Sequence, residues 1–227
     1  MKNDRFIEEA GLEFREKLYQ DGFYLDRTRY VAASKTRGLT LLGDATVWDD
    51  VRIAAQSVKL GASEPDWINN PAFGGNSNLY YYAFDGVNTL EQVFFSVQLP
   101  HSYKPGSTIY PHVHFAPTST NTADTNEKQV RFVFEYSWAN INDAFGAGGT
   151  VELTKSFVPN DSEWKHMIAG MGNGIVGSGM EMSSMMLCRL YRDPTNDGDT
   201  YPQDVAFLEF DIHIEIDTIG SAERYAK

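Results

Sequence analysis

Hydrophobic and polar residues alternate along most of the chain beyond residue 41, and this period of two is typical of β-strands. The clearest case is KQVRFVFEYSWANI, residues 128–141, in which every second central position is aromatic: Phe132, Phe134, Tyr136 and Trp138. Four aromatic side chains on one face bury on the order of 150–250 Å2 each. The segment is therefore predicted to be a strand that forms one wall of the core.

The last long hydrophobic segment, VAFLEFDIHIEIDTIG, shows the same alternation. Its even-numbered residues from Ala206 to Ile216 are predicted to face one side of the sheet, and the odd-numbered residues from Phe207 to Asp217 the other. Further strands are predicted within residues 41–55, 79–84, 90–99, 150–157, 164–170 and 182–192. Because turn-rich loops join the strands and no helix alternates with them, we expect an all-β fold, an antiparallel jelly-roll-like sandwich of about eight strands.

The beginning of the chain follows a different pattern. Residues 4–20, DRFIEEAGLEFREKLYQ, place apolar side chains at near-helical spacing with charged residues between them. The residues that follow show no clear period and are locally rich in Arg and Lys. We therefore predict an N-terminal arm over residues 1–40 that carries a short helix, and one sandwich domain over residues 41–227.

Composition excludes several classes of partner. The formal net charge of −12 argues against nucleic acid and against an anionic membrane surface, both of which attract basic proteins. No segment approaches the roughly 18 consecutive apolar residues of a membrane span, so assembly in a cytosol is expected. The single cysteine, Cys188, lies in the apolar run MMLCRLY and is predicted to be a buried hydrophobic residue.

The segment LPHSYKPGSTIYPHVHFAP contains two of the chain's three candidate metal ligands. His112 and His114 are two residues apart and would share one face of a strand, as half of a zinc or iron site. The spacing from Gly106 resembles the start of the cupin metal motif, but no carboxylate follows His114 closely. His213 is the candidate third ligand. The alternatives are a site completed between subunits, or histidines that are only hydrogen-bonded or lie at a contact.

Three segments together resemble a family of tailed-bacteriophage virion proteins: GDATVWDDVR (43–52), LPHSYKPGSTIYPHVHFAP (99–117) and LEFDIHIEIDTIGS (208–221). The resemblance implies a structural component of the particle, a jelly-roll-like homotrimer that is assembled in the host cytoplasm and remains in the virion. It supplies no catalytic residues. The expected function is therefore a non-enzymatic capsid decoration or cement protein that contacts the major capsid protein or other virion proteins.

Two other functions stay open at this point. The Gly-, Asn- and Thr-rich loops at residues 61–78 and 117–127 fit a receptor-binding module of a tail fibre or spike, since recognition residues often lie on loops held by a rigid scaffold. A cupin-like metalloenzyme would instead use His112, His114 and His213. No organic cofactor is expected, and a metal ion at these histidines is the one cofactor that the sequence leaves open.

Overall fold

The computed structural model describes residues 23–24, 29–34, 38–43, 45–69, 78–118, 124–221 and 223–225. Within these residues the protein consists of fourteen strands and two single-turn 3-10 helices. The strands are β1 (Phe23–Tyr24), β2 (Arg29–Ser34), β3 (Gly38–Gly43), β4 (Val47–Ala54), β5 (Lys59–Leu60), β6 (Asp66–Asn69), β7 (Tyr80–Phe84), β8 (Glu91–Gln98), β9 (Tyr110–Pro117), β10 (Lys128–Ala139), β11 (Gly149–Phe157), β12 (Met167–Gly170), β13 (Met185–Arg192) and β14 (Val205–Ile216). The helix predicted at residues 4–20 lies outside the described residues. Among the residues described, no helix has the length and apolar character needed to cross a membrane.

Eleven of the strands form one antiparallel sheet in the order β5-β8-β13-β10-β11-β12-β9-β14-β7-β6, with β4 paired to β14. The sheet curls back on itself, because Phe134 on β10 packs against Phe210 on β14 at a ring distance of 4.8 Å although three strands lie between β10 and β14 in the sheet order. The two halves therefore face each other as the layers of a sandwich. This confirms the predicted all-β antiparallel class, with short strands raising the count above eight.

A second, three-stranded sheet is formed by β1, β2 and β3. Strand β3 continues across residue 40, where the sequence predicted the boundary between arm and sandwich. The backbone N–H of Leu41 donates to the carbonyl of Asp217 at 2.5 Å, and Thr40 pairs with Thr218 in an isolated bridge. This small sheet is thus hydrogen-bonded to the segment that follows β14.

The core lies between the two layers and is rich in aromatic rings. Phe132 and Phe134 are 0% exposed, and Tyr136 and Trp138 pack against the same cluster, which confirms the predicted aromatic face of β10. Cys188 is buried, and burial raises the pKa of its thiol to about 12, as expected of a hydrophobic residue rather than a reactive one.

The uninterrupted alternation predicted for residues 205–217 is wrong. The pairing of β14 with β9 shifts between Phe207 and Glu209, so that one extra residue is accommodated there. As a result Phe207 and Phe210 both face the core, although they have opposite parity in the sequence. Leu208 packs on the other side of the sheet, in a small cluster that includes Ala206.

Arg192, at the end of β13, is a charged residue inside the core region, and its side chain is 0% exposed. Its guanidinium donates to both carboxylate oxygens of Asp199, at 2.8 and 2.9 Å. It also donates to the carbonyls of Tyr201, Gln203 and Phe84. One side chain thus joins β7, β13 and the connection between β13 and β14.

Glu91, at the start of β8, makes folding sensitive to pH. Its side chain accepts the backbone N–H of Asp85 at 2.6 Å, and burial raises its pKa to about 7. Since the unfolded chain ionises this group near pH 4.5 while the folded chain still holds the proton, wild-type stability falls between about pH 4.5 and pH 7. We therefore expect Glu91→Gln to gain stability relative to wild type over that range, by about 1 kcal/mol after screening by solvent.

Urea unfolding of both proteins at pH 5 and pH 8 measures this difference. Glu152→Gln is the matched control, because the hydrogen bond to Arg131 lowers the pKa of Glu152 below its ordinary value of 4.5. This carboxyl group is therefore largely ionised in both the folded and the unfolded chain above about pH 5, so the stability of E152Q relative to wild type should change little between pH 5 and pH 8. Equal pH dependence in E91Q and wild type would contradict the assignment.

Candidate functional site

The three sequence segments that carry the phage resemblance lie side by side in the fold. Their strands are β4, β9 and β14, and β14 pairs with β4 on one side and with β9 on the other. One face of these strands packs into the core through residues such as Val113 and Ile212. We call the opposite face, which carries Asp50, His112 and Asp211, the outer face. Segments that are far apart in the sequence thus form one continuous surface.

The register of β14 against β9 brings the polar side chains of the outer face together. Asp211 is directly opposite His112, and Glu209 is opposite His114. Directly opposed residues of an antiparallel pair project from the same face with their Cβ atoms about 4.5–5.5 Å apart. The pairing therefore places a carboxylate next to each of the two predicted histidines.

His112, His114 and Asp211 form a compact group of possible metal ligands, and one ligand atom from each lies within 4.8 Å of the others. The Nε2 atom of His114 is 3.2 Å from the Asp211 Oδ2, and that of His112 is 3.9 Å from the same oxygen. The carboxylate that is missing from the sequence after His114 thus comes from the neighbouring strand. Two imidazoles and one carboxylate are a donor set that zinc and other first-row metals accept.

The Nδ1 atoms of both histidines are engaged away from Asp211. The Nδ1 of His112 lies 3.2 Å from the carbonyl oxygen of Tyr110, a contact that requires the proton to be on Nδ1. The Nδ1 of His114 lies 2.6 Å from the Nε2 of His166. When His114 donates in that contact, both histidines present a bare Nε2 toward Asp211.

Burial sets the protonation of the group. It is the main cause that lowers the pKa of His112, and it also lowers that of His114, with the neighbouring His166 adding to the effect. Burial likewise raises the pKa of Asp211, and repulsion from Glu209 acts in the same direction. At neutral pH the two imidazoles are therefore uncharged, which is the state that a metal ligand needs.

Three atoms of the group have no hydrogen bond within the described part of the chain. They are the Nε2 atoms of His112 and His114 and the Oδ1 atom of Asp211, and all three are buried. A buried polar atom without a partner costs about 1–3 kcal/mol. Three such atoms at one place are therefore costly unless another species satisfies them.

His213, the predicted third ligand, lies beside this group and outside the three-donor set. Its ring centre is 4.2 Å from that of His112, but its Nε2 faces Asp50 at 3.1 Å and its side chain is 47% exposed. His166, immediately before β12, was missed by the sequence analysis because its segment, WKHMIAG, has no pattern that marks a ligand. Among the described residues, His166 is connected to the three-donor group through its contact with His114.

Two open depressions flank the histidines on the outer face. One, of about 520 Å3, is lined among others by Trp48, Tyr110, His112, Ile168, Gly170 and His213. The other, of about 400 Å3, is lined by Asp50, Arg52, His114, His166, Leu208, Glu209 and Asp211. The Trp48 ring is 56% exposed and packs edge-on against Tyr110 at 5.5 Å. The group of His112, His114 and Asp211 therefore lies between two accessible depressions.

No protein-family model matches the sequence, and no curated protein matches it either. Solved structures with a similar fold include a family 16 carbohydrate-binding module, with 11% identity and a TM-score of 0.36 over 70% of this chain and 92% of that one. The xylan-binding module CBM15 has 7% identity and a TM-score of 0.35, over 73% of this chain and 96% of the module. The enzymatically active domain of bacteriophage CBA120 tailspike protein 4 has 8% identity and a TM-score of 0.32, over 74% of this chain and 19% of that one. Similarity at this level carries no functional argument for this chain.

Proposed function

We propose that this chain is a non-enzymatic structural protein of a tailed-bacteriophage particle, a homotrimer that binds the capsid through the outer face of β4, β9 and β14. The observation that supports this most is the convergence of the three resembling segments on those strands. Residues 43–52, 99–117 and 208–221 are far apart in the chain, yet each contributes to a single surface. A shared binding surface accounts for a likeness that is carried by these three segments.

The charge of the outer face indicates the kind of surface that it fits. Arg52 is paired with Glu209, and Lys104 with Glu215, each at 2.5 Å. These basic groups are therefore neutralised within the chain, while within the described residues Asp50 and Asp211 form ion pairs with histidines only. The face is acidic as a whole, in keeping with the net charge of −12. We infer a basic patch on the capsid as its partner, since opposite charges favour encounter.

The proposal is tested with the full chain and with empty capsids that lack it. Mass photometry should show a trimer, and the trimer should co-sediment with the capsids. Trp48→Ser should weaken each contact by about 30-fold, because an exposed aromatic at the centre of an interface often contributes about 2 kcal/mol. Three linked contacts make the loss for the whole trimer larger still.

Leu187→Ser is the matched control. Leu187 is 54% exposed, close to the 56% of Trp48, but it lies on β13 in the other half of the sheet. Its loss should leave capsid binding unchanged. A stable monomer that does not bind capsids would contradict the proposal. Equal effects of the two substitutions would show that the outer face is not the capsid-binding surface.

A receptor-binding role in a tail fibre or spike is the second candidate, and one surface feature favours it. The rings of Trp67 and Tyr80 stack at 5.8 Å, and Tyr82 lies 4.6 Å from Trp67. Trp67 and Tyr80 are 46% and 49% exposed, at the sheet edge formed by β6. Exposed aromatic groups of this kind stack on ligands. Immunogold labelling of virions separates the two candidates, because label confined to the head excludes the tail role.

A further inference from the structure

We propose that His112, His114 and Asp211 bind one divalent transition-metal ion of the zinc type through the two Nε2 atoms and a carboxylate oxygen. The geometry that carries this proposal is the convergence of three buried electron-pair donors on one point, within 4.8 Å of one another. The site does not depend on the proposed role in a virion, since it follows from the arrangement of side chains alone.

The positions of the protons are the first argument. The contact of His112 Nδ1 with the Tyr110 carbonyl holds the proton on Nδ1, so Nε2 carries a lone pair. The contact of His114 Nδ1 with His166 does the same for the second imidazole when His114 is the donor. Metal-binding histidines in proteins commonly donate their other N–H to a carbonyl or a similar acceptor in this way.

The unsatisfied atoms are the second, independent argument. Within the described residues, the Nε2 atoms of His112 and His114 and the Oδ1 of Asp211 have no hydrogen-bond partner, and all are buried. With both imidazole protons on Nδ1 and no cation present, the lone pairs of His114 and His112 face the Oδ2 atom of Asp211 at 3.2 and 3.9 Å. A cation between them converts this repulsion into three coordinate bonds and satisfies both nitrogens and the carboxylate.

The donor set selects the class of metal. Two nitrogens and one oxygen suit Zn2+, Co2+ or Ni2+, whereas Mg2+ and Ca2+ prefer sites built from oxygen alone. Three protein ligands leave a tetrahedral ion at least one further position for water or for an external group. The depression beside His112 provides access, in part because Gly170 opposite this histidine has no side chain.

The test uses the full chain without an affinity tag, with ZnCl2 as probe and MgCl2 as comparison. Isothermal titration calorimetry and metal analysis after dialysis should give one Zn2+ per chain and no Mg2+. Thermal unfolding should shift upward by about 5–10 °C at a hundredfold excess of Zn2+ over its dissociation constant. Cobalt substitution should give the visible absorption of a four-coordinate ion without a thiolate band, since Cys188 lies in the core.

Single substitutions identify the ligands. Asp211→Asn and His112→Gln should each weaken Zn2+ binding by at least about 100-fold, more than the 10–100-fold expected for loss of an outer partner such as His166. His101→Gln is the matched control, because His101 lies outside the three-donor group and its replacement should leave affinity unchanged. His213→Gln should weaken binding by no more than about 10-fold, because His213 packs against His112 but is not one of the three donors. Circular dichroism and thermal unfolding without metal show that each variant folds, and His114→Gln replaces any variant that does not.

Two results would overturn the site. The first is zinc in the wild-type protein at well under half an equivalent, with no shift in thermal unfolding. The second is retention of stoichiometric binding in all of the folded ligand variants. Loss of binding in H213Q with retention in D211N would show that the carboxylate is not a ligand, and it would overturn the assignment as well.

Discussion

Replacing Arg192 with methionine is expected to lower the free energy of unfolding by about 3–5 kcal/mol, since it removes one member of a buried ion pair and leaves the other without a counter-charge. Asp199 would remain in the interior with both oxygens deprived of the guanidinium. The carbonyls of Tyr201, Gln203 and Phe84 would lose their donor at the same time. Guanidinium chloride unfolding followed by tryptophan fluorescence measures the change.

Arg189→Met is the matched control for this prediction. Arg189 lies three residues earlier on the same strand and pairs with Glu135 at 3.0 Å, but the two side chains are 30% and 36% exposed. Partly exposed pairs contribute about 0–1 kcal/mol, so R189M should be close to wild type. The double variant Arg192→Met with Asp199→Leu should recover part of the loss, because it also removes the unpaired carboxylate. Equal effects of R192M and R189M would contradict this account.

Phe210→Ala is expected to have a similar cost, about 3–5 kcal/mol, because it opens a cavity between the two layers. Phe210 is 0% exposed, and its ring lies 4.7 Å from Phe95 and 4.8 Å from Phe134. These contacts join β14 in one half of the curled sheet to β8 and β10 in the other. Loss of the ring removes contacts on both sides of the core, and neighbouring side chains cannot fill the space completely.

The matched control is Phe94→Ala. Phe94 precedes Phe95 on β8, points to the opposite side of the strand and is 36% exposed. Its truncation should cost well under half as much as that of Phe210. Denaturant unfolding at a constant m-value measures both. If F94A were as destabilising as F210A, the face of β8 that carries Phe94 would belong to the core, which would contradict this fold.

The strands with strong alternation could be predicted from the sequence because that pattern depends only on neighbouring residues. The aromatic face of β10 is the clearest example. Strand β6 was not predicted, since DWIN lies within a segment rich in Pro, Gly and Asn and is held in the sheet by pairing with β7. The shift in β14 also could not be predicted, because it is a property of the pairing between two strands.

The candidate site was predicted only in part, for the same reason. That His112 and His114 share a face follows from their spacing alone. The third member of the donor group is Asp211 and not His213, because of the register between β9 and β14. This register cannot be predicted from the sequence of either strand alone. A signal was present in the sequence, since Asp211 is two residues before His213 and of the same parity. The contact of His166 with His114 had no such signal.

The irregular pairing between Phe207 and Glu209 sets how the length of this strand can vary in evolution. Leu208 has no paired residue in β9, so a chain that lacked it would have Phe207 and Phe210 two residues apart, and both would still face the core in a regular ladder. A chain that kept every residue but paired regularly would instead turn one of the two phenylalanines away from the core. In related chains, we therefore expect the irregular pairing only where two residues separate these positions, and regular pairing where one does.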